Sequence, residues 1–172
     1  MHPRPSKGSI PPSMKIASWN VNSIRARLAP LTRWLDTQRP DILLLQETKV
    51  TDDDFPRDDL LRRGYSVVIA GQKSSNGVAI LSQHPIRDVE VGFPEDGPEA
   101  EKRLITATIA GLRVMSAYIP NGRDVMHPVF QQKLAWLSRL RGFLLEQRAA
   151  ARLPIIVGGD FNVAREARDL WA

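Results

Sequence analysis

Three features of the 172-residue sequence predict an α/β fold. Short aliphatic runs alternate with segments of helical periodicity. Several of those runs are apolar at every residue rather than at alternate ones, and polar side chains stand where they end. A strand that is apolar on both faces needs cover on both, which is the habit of sheets buried between other layers. Rigid strand ends are also where α/β sheets place their functional groups.

The opening stretch, MHPRPSKGSIPPS, is basic, rich in Pro and Ser, and lacks the apolar middle of a signal peptide. It is read as a disordered leader over residues 1–13, with one domain over residues 14–172. KIASW (15–19) is a short strand running into Asn20, Val21 and Asn22. Pro30 is expected to open a helix in which Leu31, Trp34 and Leu35 share a face, and Pro40 to stop it. DILLLQ (41–46) is a buried strand leading into Glu47, Thr48 and Lys49. The segment 51–64 suits a short helix, with aspartates at its start, arginines at its end and Gly64 as its stop.

Four strands follow: YSVVIAG (65–71), GVAILS (77–82), RLITATIA (103–110) and LRVMSAYI (112–119). The last two are joined by a tight turn at Ala110–Gly111. A long amphipathic helix is predicted from about Pro128 to Ala150, with Phe130, Leu134, Leu137, Leu140 and Leu144 as its apolar stripe. LPIIVGGD (153–160) is the final strand. These helices could cover one face of a sheet, or be divided between two faces as in a doubly wound fold. If they lie on one face, the other needs a second layer that the 172 residues are not expected to contain.

Composition narrows the chemistry. The chain is 42% hydrophobic and 25% charged, ordinary values for a packed domain, and its net charge of +5 favours a polyanionic partner such as nucleic acid. Zero cysteines exclude disulfides, thiolate metal sites and cysteine nucleophiles, and fit a reducing, cytoplasmic setting. No run approaches a membrane span.

The polar groups at strand ends are Asn20 (with Asn22), Glu47, Tyr118, and Asp160 with Asn162. Oxygen donors in this mixture suit Mg²⁺, or Mn²⁺ in its place, and argue against zinc. Glu47 is the natural direct ligand. Asp160 could polarise a water, Asn162 hold an attacked phosphate, and Tyr118 donate to developing charge.

Five blocks carry a resemblance: MKIASWNVNSIRAR from Met14, PDILLLQETKV from Pro40, GYSVVIAGQKSSNGVAILS from Gly64, SAYIPNG from Ser116 and IIVGGDFNVA from Ile155. In content and order they resemble the exonuclease III family of exodeoxyribonucleases and apurinic/apyrimidinic endonucleases, within the endonuclease/exonuclease/phosphatase superfamily. The resemblance implies the N-terminal part of a four-layer α/β/β/α sandwich, with the second sheet layer largely missing. It implies a Mg²⁺-dependent DNA-repair hydrolase acting on phosphodiesters at abasic sites and 3′ ends of double-stranded DNA. Glu47 becomes the principal metal ligand, with Asn20 beside it positioning metal and phosphate. Tyr118 stabilises the transition state, Asp160 activates water or protonates the leaving group, and Asn162 binds phosphate. Arg103, Asn121, Gly122 and Lys133 match positions near the DNA backbone.

The sequence departs from that family in one respect. The closing Ser-Asp-His of the family is not found, and no His follows an Asp: His2 lies in the leader, His84 in a turn and His127 before the long helix. Two further readings therefore stand beside the nuclease: a catalytically inactive metal- or DNA-binding fragment, and another metal-dependent phosphoesterase of the same fold. With the second layer missing, an exposed inner face is expected to make the chain self-associate.

Overall fold

The structure, a computed structural model, describes residues 13–151, 153–164 and 166–169. All but Ser13 of the expected leader lies outside the described residues. Among the described residues, eight strands form two four-stranded sheets. The first sheet contains β1 (Ile16–Asn20), β2 (Ile42–Gln46), β3 (Ser66–Ala70) and β4 (Val78–Ser82), in the order β1-β2-β4-β3. The second contains β5 (Ile86–Val91), β6 (Leu104–Ile109), β7 (Leu112–Tyr118) and β8 (Ile155–Asp160), in the order β5-β6-β7-β8. The α-helices are α1 (Ile24–Gln38), α2 (Arg57–Leu61) and α3 (Pro128–Ala151).

Alternation within β2 explains why every residue of it is apolar or buried. Leu43 and Leu45 point to one side, where they pack with Ile24, Leu31 and Leu35 of α1 and Leu60 of α2. Ile42 and Leu44 point to the other, against Ile105 and Ala107 of β6 and Val114 of β7. The outer face of the second sheet offers Leu104, Met115 and Ala117 to Leu140 and Phe143 of α3. The order of layers is therefore helix, sheet, sheet, helix, as the resemblance implies. The expectation that the second sheet is largely missing is corrected: this chain builds four strands of each layer. The inner face of the first sheet is covered by β6 and β7, so self-association cannot be argued from it.

Each sheet contains one parallel pair made by a helical crossover: β1-α1-β2 in the first and β7-α3-β8 in the second. The other pairings are antiparallel. Strands β1 and β8 are edge strands that lie together on one flank of the sandwich, and β3 meets β5 on the other.

Three elements differ from expectation. Helix α1 begins at Ile24, before Pro30, because Ser23 accepts the Ala26 N–H (3.4 Å) and the Ile24 N–H is held by the Thr48 carbonyl. Pro30 thus sits inside the helix. Strand β5 escapes notice because it is an exposed, charged edge strand with a register shift between Arg87 and Glu90. On α3, Leu134 is exposed and Phe143 is buried, so the buried stripe is rotated from the one read in the sequence. The Ala110–Gly111 turn is as expected, with φ of 47° and 79°.

Candidate active site

The two crossovers bring four strand ends to one pole. In the first sheet Asn20 is in register with Gln46, the residue before Glu47; in the second, Tyr118 is in register with Asp160. Because the sheets face each other, the ends of β1, β2, β7 and β8 converge. This is the carboxyl end of all four strands, where α/β sheets hold their ligands.

At the centre is the side-chain amide of Asn20. Its Nδ2 donates to Glu47 Oε1 at 2.7 Å and to Asp160 Oδ2 at 2.8 Å. One nitrogen thus holds two carboxylates from opposite sheets side by side. The Asn20 Oδ1 accepts the Asn22 N–H at 3.0 Å, which fixes the amide's orientation. Asp160 Oδ1 accepts the Asn162 N–H at 2.9 Å, so both of its oxygens are held as acceptors. Lys49 brings a cation to the group, with its ammonium 2.9 Å from Glu47 Oε2 and 2.5 Å from Asn22 Oδ1.

Burial opposes the charge on Glu47, but hydrogen bonds from Asn20, Lys49 and Tyr118 outweigh it and hold its carboxyl below the ordinary value. The Tyr118 phenol is pushed up to about 12, first by burial and then by the Glu47 carboxylate against it. It therefore stays a proton donor at any physiological pH. The Arg103 guanidinium lies 4.8 Å from the centre of the Tyr118 ring and is paired with Glu101 at 2.6 Å. Glu101 is in turn reached by the Asn76 amide at 3.3 Å.

The backbone around the site departs from ordinary geometry. Asn22, Ser23, Glu47, Lys49 and Asn162 all have positive φ, between 41° and 88°. Such conformations persist where neighbouring contacts over-determine them. Here Ser23 N–H donates to the Glu47 carbonyl, Thr48 N–H to Gly77 and Lys49 N–H to Asn76. Strand β8 needs both of its glycines. A Cβ on Gly159, whose φ is 157°, would overlap the Ala117 carbonyl, and one on Gly158 would come within 2.5 Å of Leu44 Cδ1 in the facing sheet.

The residues read from the sequence as metal-binding or catalytic, Asn20, Glu47, Tyr118, Asp160 and Asn162, all meet here. The Asn162 amide donates to the Ile119 carbonyl at 2.9 Å, and its own carbonyl accepts from Lys133. Lys133 is only 6% exposed, and Gly122 is buried against it and Phe130. Both shape the floor beside the Asn162 turn. Arg103 is largely buried beneath Tyr118, and Asn121 is exposed, with its Oδ1 accepting the Arg123 N–H. Lys49 was visible in the sequence as part of the QETK block but acquires a role only when its ammonium is seen on Glu47. His84, read as a turn histidine, is 3.1 Å from Asp41 at the opposite pole, and His127 is half-buried before α3 with its Nδ1 facing the Val129 N–H.

A hydrated hard cation suits this donor set. Magnesium is commonly held by one or two carboxylates while keeping several waters. Here two carboxylates converge, with the Lys49 ammonium on one and the Lys133 ammonium near the other, and among the described residues no group of three His, Cys, Asp or Glu side chains stands ready to hold a metal.

Comparison with known proteins bears on the same residues. The model of the Endonuclease/Exonuclease/phosphatase family matches residues 17–172. Exodeoxyribonuclease III of Haemophilus influenzae is 33% identical over 162 residues, which is 91% of this chain and 60% of that protein. An AP endonuclease from Archaeoglobus fulgidus superposes with a TM-score of 0.84 at 44% identity, covering 93% of this chain and 62% of its own. A Neisseria 3′ phosphatase, NExo, bound to a product DNA hairpin, superposes with a TM-score of 0.84 at 38% identity, covering 90% and 60%. The chain thus spans about three fifths of the length of these relatives.

Proposed function

Because the chain belongs to the endonuclease/exonuclease/phosphatase family and is related to exonuclease III, we propose that it is a metal-dependent DNA-repair phosphodiesterase. The substrate is duplex DNA, attacked at abasic sites and 3′ ends. The observation that carries this reading is the Asn20 amide, which joins Glu47 of one sheet to Asp160 of the other with Tyr118 alongside. A Mg²⁺ or Mn²⁺ ion held by Glu47, with Asn20 beside it, would supply Lewis-acid polarisation of a phosphate oxygen. Asp160, with both oxygens acting as acceptors, takes the proton of the attacking water. Tyr118 donates its hydroxyl hydrogen bond to charge developing on phosphorus oxygens, and burial keeps that donor protonated. Asn162 contributes a fixed turn beside the phosphate, held in place by Ile119 and Lys133.

Arg103 and Asn121 flank this centre, and the basic balance of the chain favours approach of a DNA backbone. A cytoplasmic setting belongs to the same reading; among the described residues no helix is long and apolar enough to cross a membrane.

The test is incubation of the purified chain and Mg²⁺ with a duplex containing one abasic site. Incision that disappears in Glu47→Ala and in Asp160→Ala supports the proposal. A second reading is a metal- or DNA-binding fragment without catalysis. Salt-sensitive DNA binding with no incision would select it.

A further inference from the structure

Directly beneath the candidate site, one polar group crosses an otherwise aliphatic contact between the sheets. Gln46 of β2 is 1% exposed, and its Nε2 donates to Ser116 Oγ of β7 at 3.0 Å. Ser116, fully buried, donates back to the Leu45 carbonyl of β2 at 3.0 Å. Ser18 of β1 donates to Gln46 Oε1 at 3.3 Å, which sets the amide's orientation. The network therefore runs from one sheet to the other and back.

Its position follows the site residue by residue. Ser18 lies two residues before Asn20, Gln46 one before Glu47 and Ser116 two before Tyr118. Gly158, in register with Ser116, lies two before Asp160. Elsewhere the sheets meet through Ile42, Leu44, Val78, Ile80, Ile105, Ala107 and Val114. Such packing is non-directional and opposes sliding of one sheet over the other only weakly. A buried hydrogen-bonded pair does oppose it, because a displaced pair leaves unsatisfied polar groups.

We infer that the Ser18–Gln46–Ser116 bridge is the positioning device that sets the two halves of the site against each other. This inference rests on the metal-nuclease reading above. The contact it governs is specific. Asn20 and Glu47 belong to the same sheet, whereas Asp160 reaches Asn20 from the other. Loss of the bridge therefore separates Asp160 from Asn20 and leaves Asn20 on Glu47.

The double variant Gln46→Met, Ser116→Ala replaces both polar partners with apolar groups of similar shape, a change that costs little folding stability. Its melting temperature is expected within about 4 °C of the parent chain. In its metal-free crystal structure the Asn20–Asp160 contact is expected beyond hydrogen-bonding distance, with the Asn20–Glu47 contact kept. Titration with Mn²⁺ is expected to show affinity weakened by about 3–10-fold, since a displaced Asp160 takes its charge away from a cation still held by Glu47 and Asn20. Ser18→Ala, at an exposed position, removes only the anchor of Gln46 and is expected to shift both readouts in the same direction by less. An unchanged Asn20–Asp160 contact together with parental Mn²⁺ affinity overturns the inference. Should the parent chain bind no Mn²⁺, the metal reading falls, while displacement of Asp160 alone in the variant still upholds the bridge.

Discussion

Both poles of the sandwich gather polar side chains at strand ends, and they use them in opposite ways. At the far pole Asp41 meets His84 at 3.1 Å and the Lys15 N–H at 2.8 Å, while Gln83 links Pro40 to the Tyr65 hydroxyl. At the near pole two carboxylates from opposite sheets share one amide nitrogen, and two ammoniums attend them, Lys49 on Glu47 and the buried Lys133 near Asp160. The backbone there is held in left-handed conformations by its neighbours. The difference teaches what sets a candidate site apart from a local cluster: the first gathers one carboxylate, and the second brings two carboxylates and two ammoniums together in a partly buried place, the kind of arrangement that functional sites favour.

The largest expected effect breaks that comparison at its reactive end. Glu47→Ala is expected to lower abasic-site incision by at least about 10²–10³-fold and to abolish Mn²⁺ binding, measured by single-turnover kinetics and metal titration. Gly159→Ala comes next. Its Cβ would overlap the Ala117 carbonyl, so β8 must shift, at a cost of about 3 kcal/mol in denaturant unfolding.

A pH series sharpens the contrast further. Asp41, Glu47, Asp96 and Glu101 all have carboxyls held below their ordinary values: Asp41 chiefly by the Lys15 N–H, Glu101 chiefly by Arg103, and Glu47 and Asp96 by hydrogen bonds that outweigh burial. A depressed carboxyl contributes stability that is complete above the unfolded-state value, about 4, and is lost as pH falls through the folded one. Melting temperature is thus expected to be level, as far as these groups go, from pH 7 to about 5 and to fall below about 4. The smallest effect lies at the far pole. His84→Ala is expected to cost at most about 1 kcal/mol, because both partners are 30% exposed, and to leave Mn²⁺ affinity unchanged.

The reactive pole was largely legible in the sequence because its residues follow directly from strand ends. Asn20, Glu47, Tyr118 and Asp160 each terminate or follow an aliphatic run, and local pattern is enough to find them. What local pattern cannot show is which strands share a sheet. ILLL and VAIL read as apolar on both faces whether the second face meets helices or another sheet, so the second layer was expected outside the chain when it lies within it. The same blindness hid Gln46 and Ser116, whose meaning lies in a contact 70 residues apart. Helix α1 was placed late because Pro30 looks like a first-turn residue, while the earlier start depends on a hydrogen bond to Thr48 from a distant loop.

The bond from Asn20 to Asp160 joins residues 140 positions apart. Its consequence concerns time. Closing so long a loop is entropically costly, and contacts of this separation form late in folding. On a ribosome, Asn20, Glu47 and Tyr118 emerge well before Asp160, so during synthesis the Asn20 amide waits for its second carboxylate. On the reading proposed above, the site is therefore completed only once β8 has paired with β7.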